Sequence, residues 1–173
     1  DDSSSEVWEQ KSEMLTNWVD NFIIPSHSTL LDNLVYLEGA GNSFTSSPNQ
    51  QNLDSLRTVF INAYMSWQYV EMFDIGPAEE SYYKSKMNIY PTTVSRIDIN
   101  IQNENTDFNN SNNYSAQGFP ALDYLLYGIE TNDELILSKY NTDPKYLSYL
   151  SEIINQMLQN TYPIVEEWGS YRN

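Results

Sequence analysis

The sequence predicts an all-α domain folded as an up-and-down helical bundle. Three observations carry that reading. Apolar residues recur at three- and four-residue spacings in several long segments, the period of a helix with one buried face. Strict apolar/polar alternation, the mark of a half-buried strand, is missing from all of them. The chain has 173 residues, of which 40% are hydrophobic and 14% aromatic, enough to build one core without disulfides or metal staples.

The elements follow in order. Asp1 to Ser5 is a short polar leader, read either as a tether of a mature exported domain or simply as a chain end. Residues 6–173 then form a single helical-bundle domain. From Glu6 to Phe22 the positions Val7/Trp8, Leu15, Trp18/Val19 and Phe22 keep helical spacing, and after Pro25 the pattern resumes through Leu30/Leu31, Leu34 and Leu37. This predicts one kinked helix or two, with the apolar face in the core. Gly39 and Gly41, followed by polar residues 42–51, predict a stop and a loop. Leu53, Leu56, Phe60, Ala63, Trp67 and Val70 lie on one helical face, and Gly76-Pro77 cannot continue that helix beyond about Phe73. A short helix is expected after Thr92/Thr93, followed by an Asn-rich tract over residues 100–113 that reads as exposed loop, because Asn side chains compete with backbone hydrogen bonds. Two short helices are expected at Pro120–Gly128 and Asp133–Tyr140. A long last helix is capped by Asp143, opens on Pro144, and carries the stripe Leu147, Leu150, Ile154, Met157/Leu158, Thr161, Val165 and Trp168. Pro163 should kink it.

Composition narrows the function. Eight Lys plus Arg against 24 Asp plus Glu give a net charge of −16, a field that repels phosphate backbones and anionic headgroups, so nucleic acid is not the expected partner. No apolar run is long enough to span a bilayer. With no Cys and a single histidine, His27, nucleophilic triads and ordinary zinc sites lack their parts. His27 reads as a surface or packed residue. A hard-cation or ferric site built from carboxylates is the remaining metal chemistry. Among Glu71, Glu79, Glu80 and Asp123, the acids Glu71 and Asp123 stand inside otherwise apolar helical stretches. A carboxylate buried there must be hydrogen-bonded, paired, protonated or metal-bound. Ordinary ion pairing, with Arg57 or Arg96, is the structural alternative.

Two stretches carry a resemblance. The first is Ala63-Tyr64-Met65-Ser66-Trp67-Gln68-Tyr69-Val70-Glu71, running through Phe73 to Gly76-Pro77 and followed by Ile89-Tyr90-Pro91. The second is Gly118-Phe119-Pro120-Ala121-Leu122-Asp123-Tyr124-Leu125-Leu126-Tyr127-Gly128. Together they resemble the imelysin family of bacterial exported proteins, also called peptidase family M75. The resemblance implies two packed helical-bundle domains, of which this chain is similar to the N-terminal half. Trp67, Gly76, Pro77, Pro91, Gly118 and Pro120 are its motif and structural positions. The family hallmark is Gly-x-His-x-x-Glu, whose His and Glu are candidate metal ligands on one helix face. Here Gly118 is kept, Pro120 stands in place of the histidine and Asp123 in place of the glutamate, so the hallmark's own ligand geometry is not available.

The expected function is an exported, non-enzymatic accessory or binding protein for metal acquisition, iron by resemblance, with Asp123 and Glu71 as metal-ligand candidates and no catalytic residue. The resemblance implies an extracytoplasmic location, in the periplasm or at the outer membrane, and a lipid anchor upstream of residue 1. The expected cofactor is iron or another divalent cation, and the expected partners are a metal ion or an outer-membrane or periplasmic protein. The alternatives are a structural interaction module without a metal site, and a metallopeptidase as the family name suggests.

Overall fold

The structure, a computed structural model, describes residues 2–170, with side chains from Val7 onward. Among these residues there are helices and connections and no strand. Helix α1 (Asp2–Trp18) passes through a widened π turn (Val19–Ile23) into α2 (Ile24–Ser46). Trp18, Ile23 and Ile24 all keep right-handed helical backbone angles. The two predicted pieces are therefore one continuous rod. The π turn lies just ahead of Pro25, where the helix must tolerate a residue without an N–H. The polar stretch read as a leader forms, from Asp2, the first turn of α1.

Helix α3 (Gln50–Gln68) starts at Asn49, whose side chain accepts from the Asn52 N–H at 3.0 Å. Short helices α4 (Pro77–Glu80), α5 (Tyr83–Met87) and α6 (Val94–Gln102) follow. A 3₁₀ turn (Ser111–Ala116) leads into α7 (Gly118–Asp123), which runs on as a π turn (Tyr124–Gly128). Helix α8 (Asp133–Thr142) is capped by Asn132, and α9 (Pro144–Ser170) by Asp143, which accepts from the Lys145 N–H at 3.1 Å. Pro163 lies inside α9.

Helix α2 packs along both α3 and α9, and the short helices α4 to α8 each lie against α9. Leu30, Leu34, Leu37 and Phe44 of α2 are fully buried, as are Leu53, Leu56 and Trp67 of α3 and Leu150, Ile153 and Met157 of α9. The periodic faces thus form one core. Some of its polar members are satisfied within it. Thr161 Oγ1 donates to Met157 O at 2.7 Å, so the Tyr83 hydroxyl, 2.7 Å from Thr161 Oγ1, is the donor of that second bond.

Three expectations are corrected. Gly39 and Gly41 do not end the helix, because α2 runs to Ser46 and the true break is Ser47-Pro48-Asn49. Gly41 serves the crossing of α2 and α9: a Cβ there would meet Ile154 Cδ1 at 2.8 Å. The Asn-rich tract is not simply exposed loop. Asn100 and Asn113 are buried, with Asn100 Nδ2 donating to Asn113 Oδ1 and to the Tyr149 hydroxyl, both at 3.2 Å, while Asn113 donates to Asp107 O. The third correction concerns α1. Trp8, Leu15, Trp18 and, on the π turn, Phe22 are each at least half exposed; among the described residues α1 packs mainly on the π turn that follows it rather than along another helix. Its helical spacing is real, but the stripe is not core.

Candidate functional site

The segment from Gly118 to Gly128 forms one side of a groove, and its position is set by backbone contact. Gly118 has φ +72°, and a Cβ on it would lie 2.2 Å from Met87 O and 2.6 Å from Met87 C. Only glycine lets the start of α7 approach the end of α5 this closely. Two residues on, Pro120 occupies the first turn of α7, where a backbone N–H has no intrahelical acceptor and none is missed. Phe119, Ala121, Leu122, Leu125 and Leu126 are buried, as the sequence predicts for Leu122, Leu125 and Leu126. Arg57 of α3 ties the far end down: its Nε and Nη2 donate to Leu126 O at 3.1 and 2.7 Å, and it forms a bidentate pair with Asp133 at 2.7 and 2.8 Å. The Arg57 partner is thus Asp133, not one of the two acids singled out in the sequence. The pair raises the Arg57 pKa and lowers that of Asp133.

The groove encloses about 400 Å³ between α3, the strap at Tyr90–Thr92 and the α7 segment. Phe60 and Phe119 form its buried base, 6.2 Å apart between ring centroids, with Tyr64 at 6.1 Å from Phe60 and 5.2 Å from Phe119. Behind them Trp67 packs at 5.9 Å from Phe119 and 5.4 Å from Tyr83, which makes Trp67 a support for the groove rather than part of its surface. Tyr124, Tyr127 and the exposed Tyr90 complete the walls. The strap is held by Thr92 Oγ1 and the Thr93 N–H, both donating to Ser115 O, at 2.7 and 2.8 Å. Pro91 is exposed on it.

Asp123 is the one charged residue lining this groove. Its side chain reaches solvent, yet the surrounding rings strip enough water from it to raise its pKa above the usual carboxylate value. Burial likewise pushes the Tyr124 hydroxyl up to about 12, with the Asp98, Tyr146 and Glu130 charges adding to it. Tyr127 moves in the same direction for the same first cause, opposed by Arg57, whose guanidinium carbon stands 4.5 Å from the Tyr127 ring centre.

Glu71, the other candidate ligand, follows α3 on the turn before Gly76-Pro77. It is partly buried, 3.6 Å from Lys84 Nζ, and accepts from Asn88 Nδ2 at 3.4 Å. Gly76, at φ +54°, faces Trp168, and Pro77 opens α4. Single-sequence reasoning missed the aromatic set around Asp123. Its signal was present in the four-residue step from Phe60 to Tyr64 and in Tyr124 and Tyr127 flanking the acid.

The imelysin family model (peptidase family M75) matches residues 23–173. The chain belongs to the imelysin family. Iron-regulated protein A of Synechococcus elongatus is 25% identical over 80 residues, 46% of this chain and 22% of that protein. A crystal structure from Parabacteroides distasonis, assigned as an iron-regulated protein A precursor, superposes with a TM-score of 0.79 at 18% identity, covering 92% of this chain and 45% of that one. An imelysin-like protein of Psychrobacter arcticum gives 0.72 at 18% identity, covering 94% and 51%. The chain spans about half the length of these solved imelysin structures, whose likeness establishes the fold.

The metal that the imelysin hallmark implies can be tested against the side chains present. Pro120 has no ligand atom, Asp123 stands among phenyl and phenol rings, and Glu71 turns its oxygen toward Lys84 and Asn88. Among the described residues, no three His, Cys, Asp or Glu come together where they could hold an ion. These residues do not fit a resident metal of that kind.

Proposed function

We propose that this imelysin-family domain is an extracytoplasmic, non-enzymatic accessory protein of iron acquisition, acting by recognition at the groove beside α7. The observation that supports it is what occupies the hallmark position: Pro120 and Asp123 line a groove walled by aromatic rings. The link to iron rests on two relatives, one named and one assigned as iron-regulated protein A. Export rests on the imelysin resemblance and on the P. distasonis relative, which is assigned as a precursor. Among the described residues no helix is long and apolar enough to cross a membrane.

Two measurements test the proposal. Transcript of the encoding gene should rise on iron depletion, and iron-insensitive expression would detach the domain from iron acquisition. Calorimetric titration of the purified chain with ferrous, ferric and zinc ions should show no site tighter than roughly millimolar, about −4 kcal/mol. A stoichiometric micromolar site abolished by Asp123→Asn would instead establish Asp123 as a metal ligand. Metal-dependent peptide cleavage lost in the same variant would restore the metallopeptidase reading.

A further inference from the structure

The groove beside α7 has a chemical character more specific than recognition in general. Its base and walls are aromatic, and every ring presents a negative face to a positive charge placed over it. Asp123 is its one charged residue, and among the described residues no basic side chain pairs with it. Arg57 is already balanced by its bidentate pair with Asp133 and lies against Tyr127 at 4.5 Å, so one wall ring already holds a cation. The acids whose charges reach the Tyr124 and Tyr127 walls are Asp98, Glu130, Asp123 and Asp133. The chain as a whole carries −16. An anionic ligand would meet repulsion at every stage of approach, while a neutral apolar ligand would leave Asp123 desolvated with no partner. A volume of about 400 Å³ suits a small molecule rather than a folded segment.

We propose that this groove binds a small organic cation of the alkylammonium class, its charged head over the Tyr64, Tyr124 and Tyr127 rings and beside the Asp123 carboxylate. The proposal rests on the recognition reading above and names the ligand class of that site. A strongly hydrated metal ion would gain little from these rings, whereas an alkylated ammonium sheds its water readily and keeps its charge.

The test uses two probes of nearly equal shape, choline and 3,3-dimethylbutan-1-ol, which differ in the quaternary nitrogen. Each is titrated into the chain carrying ¹³C-labelled tyrosine rings and followed by NMR. Choline should shift the Tyr64, Tyr124 and Tyr127 resonances saturably, and the neutral isostere should bind at least about ten-fold more weakly. Asp123→Asn should cut choline affinity about ten-fold and leave the isostere unchanged. Tyr127→Leu tests the ring contribution in a background that keeps the acid, and thermal melts establish that both variants are folded. Equal binding of the two probes would overturn the cation assignment while leaving a recognition groove. Absence of shifts from either probe at 20-fold excess over the roughly millimolar range would overturn it as well. A tight metal site in the titration described above would overturn the recognition reading itself, so the two failures are separable.

Discussion

Gly118→Ala separates the structural role of the family motif from its chemical one, and its magnitude follows from two terms. At φ +72° an added Cβ costs about 1–2 kcal/mol of backbone strain. The same Cβ would sit 2.2 Å from Met87 O and 2.9 Å from Lys86 O, both backbone atoms that cannot rotate away. Relieving that overlap requires α5 and α7 to separate, an overpacking penalty of about 1–3 kcal/mol. The sum is about 2–5 kcal/mol, which for a domain of this length lowers Tm by about 4–20 °C. The control is Gly39→Ala, inside α2 with nothing within 4 Å of the new atom. It should gain about 0.5–1 kcal/mol from helix propensity and raise Tm by about 1–4 °C. Both are read by circular dichroism melts under identical buffer conditions. If Gly118→Ala melted within about 2 °C of the parent chain while Gly39→Ala rose, backbone approach would not be what demands glycine at position 118.

Three further outcomes are expected. Because Tyr83 is the donor to Thr161, Tyr83→Phe should cost about 0.5–1.5 kcal/mol, while Thr161→Val strands a buried phenol and should cost about 1–3; equal losses in urea unfolding would contradict the assigned donor direction. Arg57→Lys should not rescue Arg57→Ala, since an ammonium cannot reproduce the fork to Asp133 and Leu126 O; full recovery of Tm by lysine would refute the bidentate account. His27 is buried against Phe73 and Tyr83, with Nδ1 donating to Ile23 O and Nε2 without a hydrogen-bond partner, and burial lowers its pKa. The unfolded chain therefore binds the proton first, so stability falls as pH drops below about 6.5 until the folded histidine titrates, by at most about 1.4 kcal/mol per pH unit. His27→Leu should flatten that slope below about pH 6.5; an unchanged profile in pH-resolved urea melts would show that His27 is not its source.

What the sequence could disclose depended on whether local signals decided the outcome. The 3-4-3-4-3 spacing from Leu53 and the Asp143-Pro144 start of α9 are local: α3 carries the stripe as far as Trp67 and ends at Gln68, short of the expected Phe73, with Val70 buried on the turn that follows, and α9 starts where its signals place it. Gly39 and Gly41 show where local reasoning fails. A glycine inside a helix looks like a stop until a crossing helix, here Ile154 of α9, supplies a reason for its missing side chain. Asn100 fails similarly, because its partners Asn113 and Tyr149 lie 13 and 49 residues away. The α1 stripe shows the opposite limit. Trp8, Leu15, Trp18 and Phe22 have the same period as a core face, and periodicity cannot tell a covered stripe from an open one.

The motif at Gly118 to Asp123 was the part of the site most legible in sequence, and its meaning changes once the backbone is visible. Glycine is required there by its close approach to Met87, whatever chemistry the helix carries. Proline is acceptable two residues later because the first turn of α7 has no intrahelical bond to lose at that N–H. Neither residue speaks to a ligand. The informative position is Asp123, and its environment is built by residues on other elements: Phe60 and Tyr64 from α3, Tyr90 from the strap, and Trp67 behind them. A hallmark can thus keep its backbone logic while the chemistry of the pocket passes to side chains outside it. For this chain those side chains are aromatic, so a cation of low hydration is a better match for the lone carboxylate than a metal ion that would need several oxygen or nitrogen ligands.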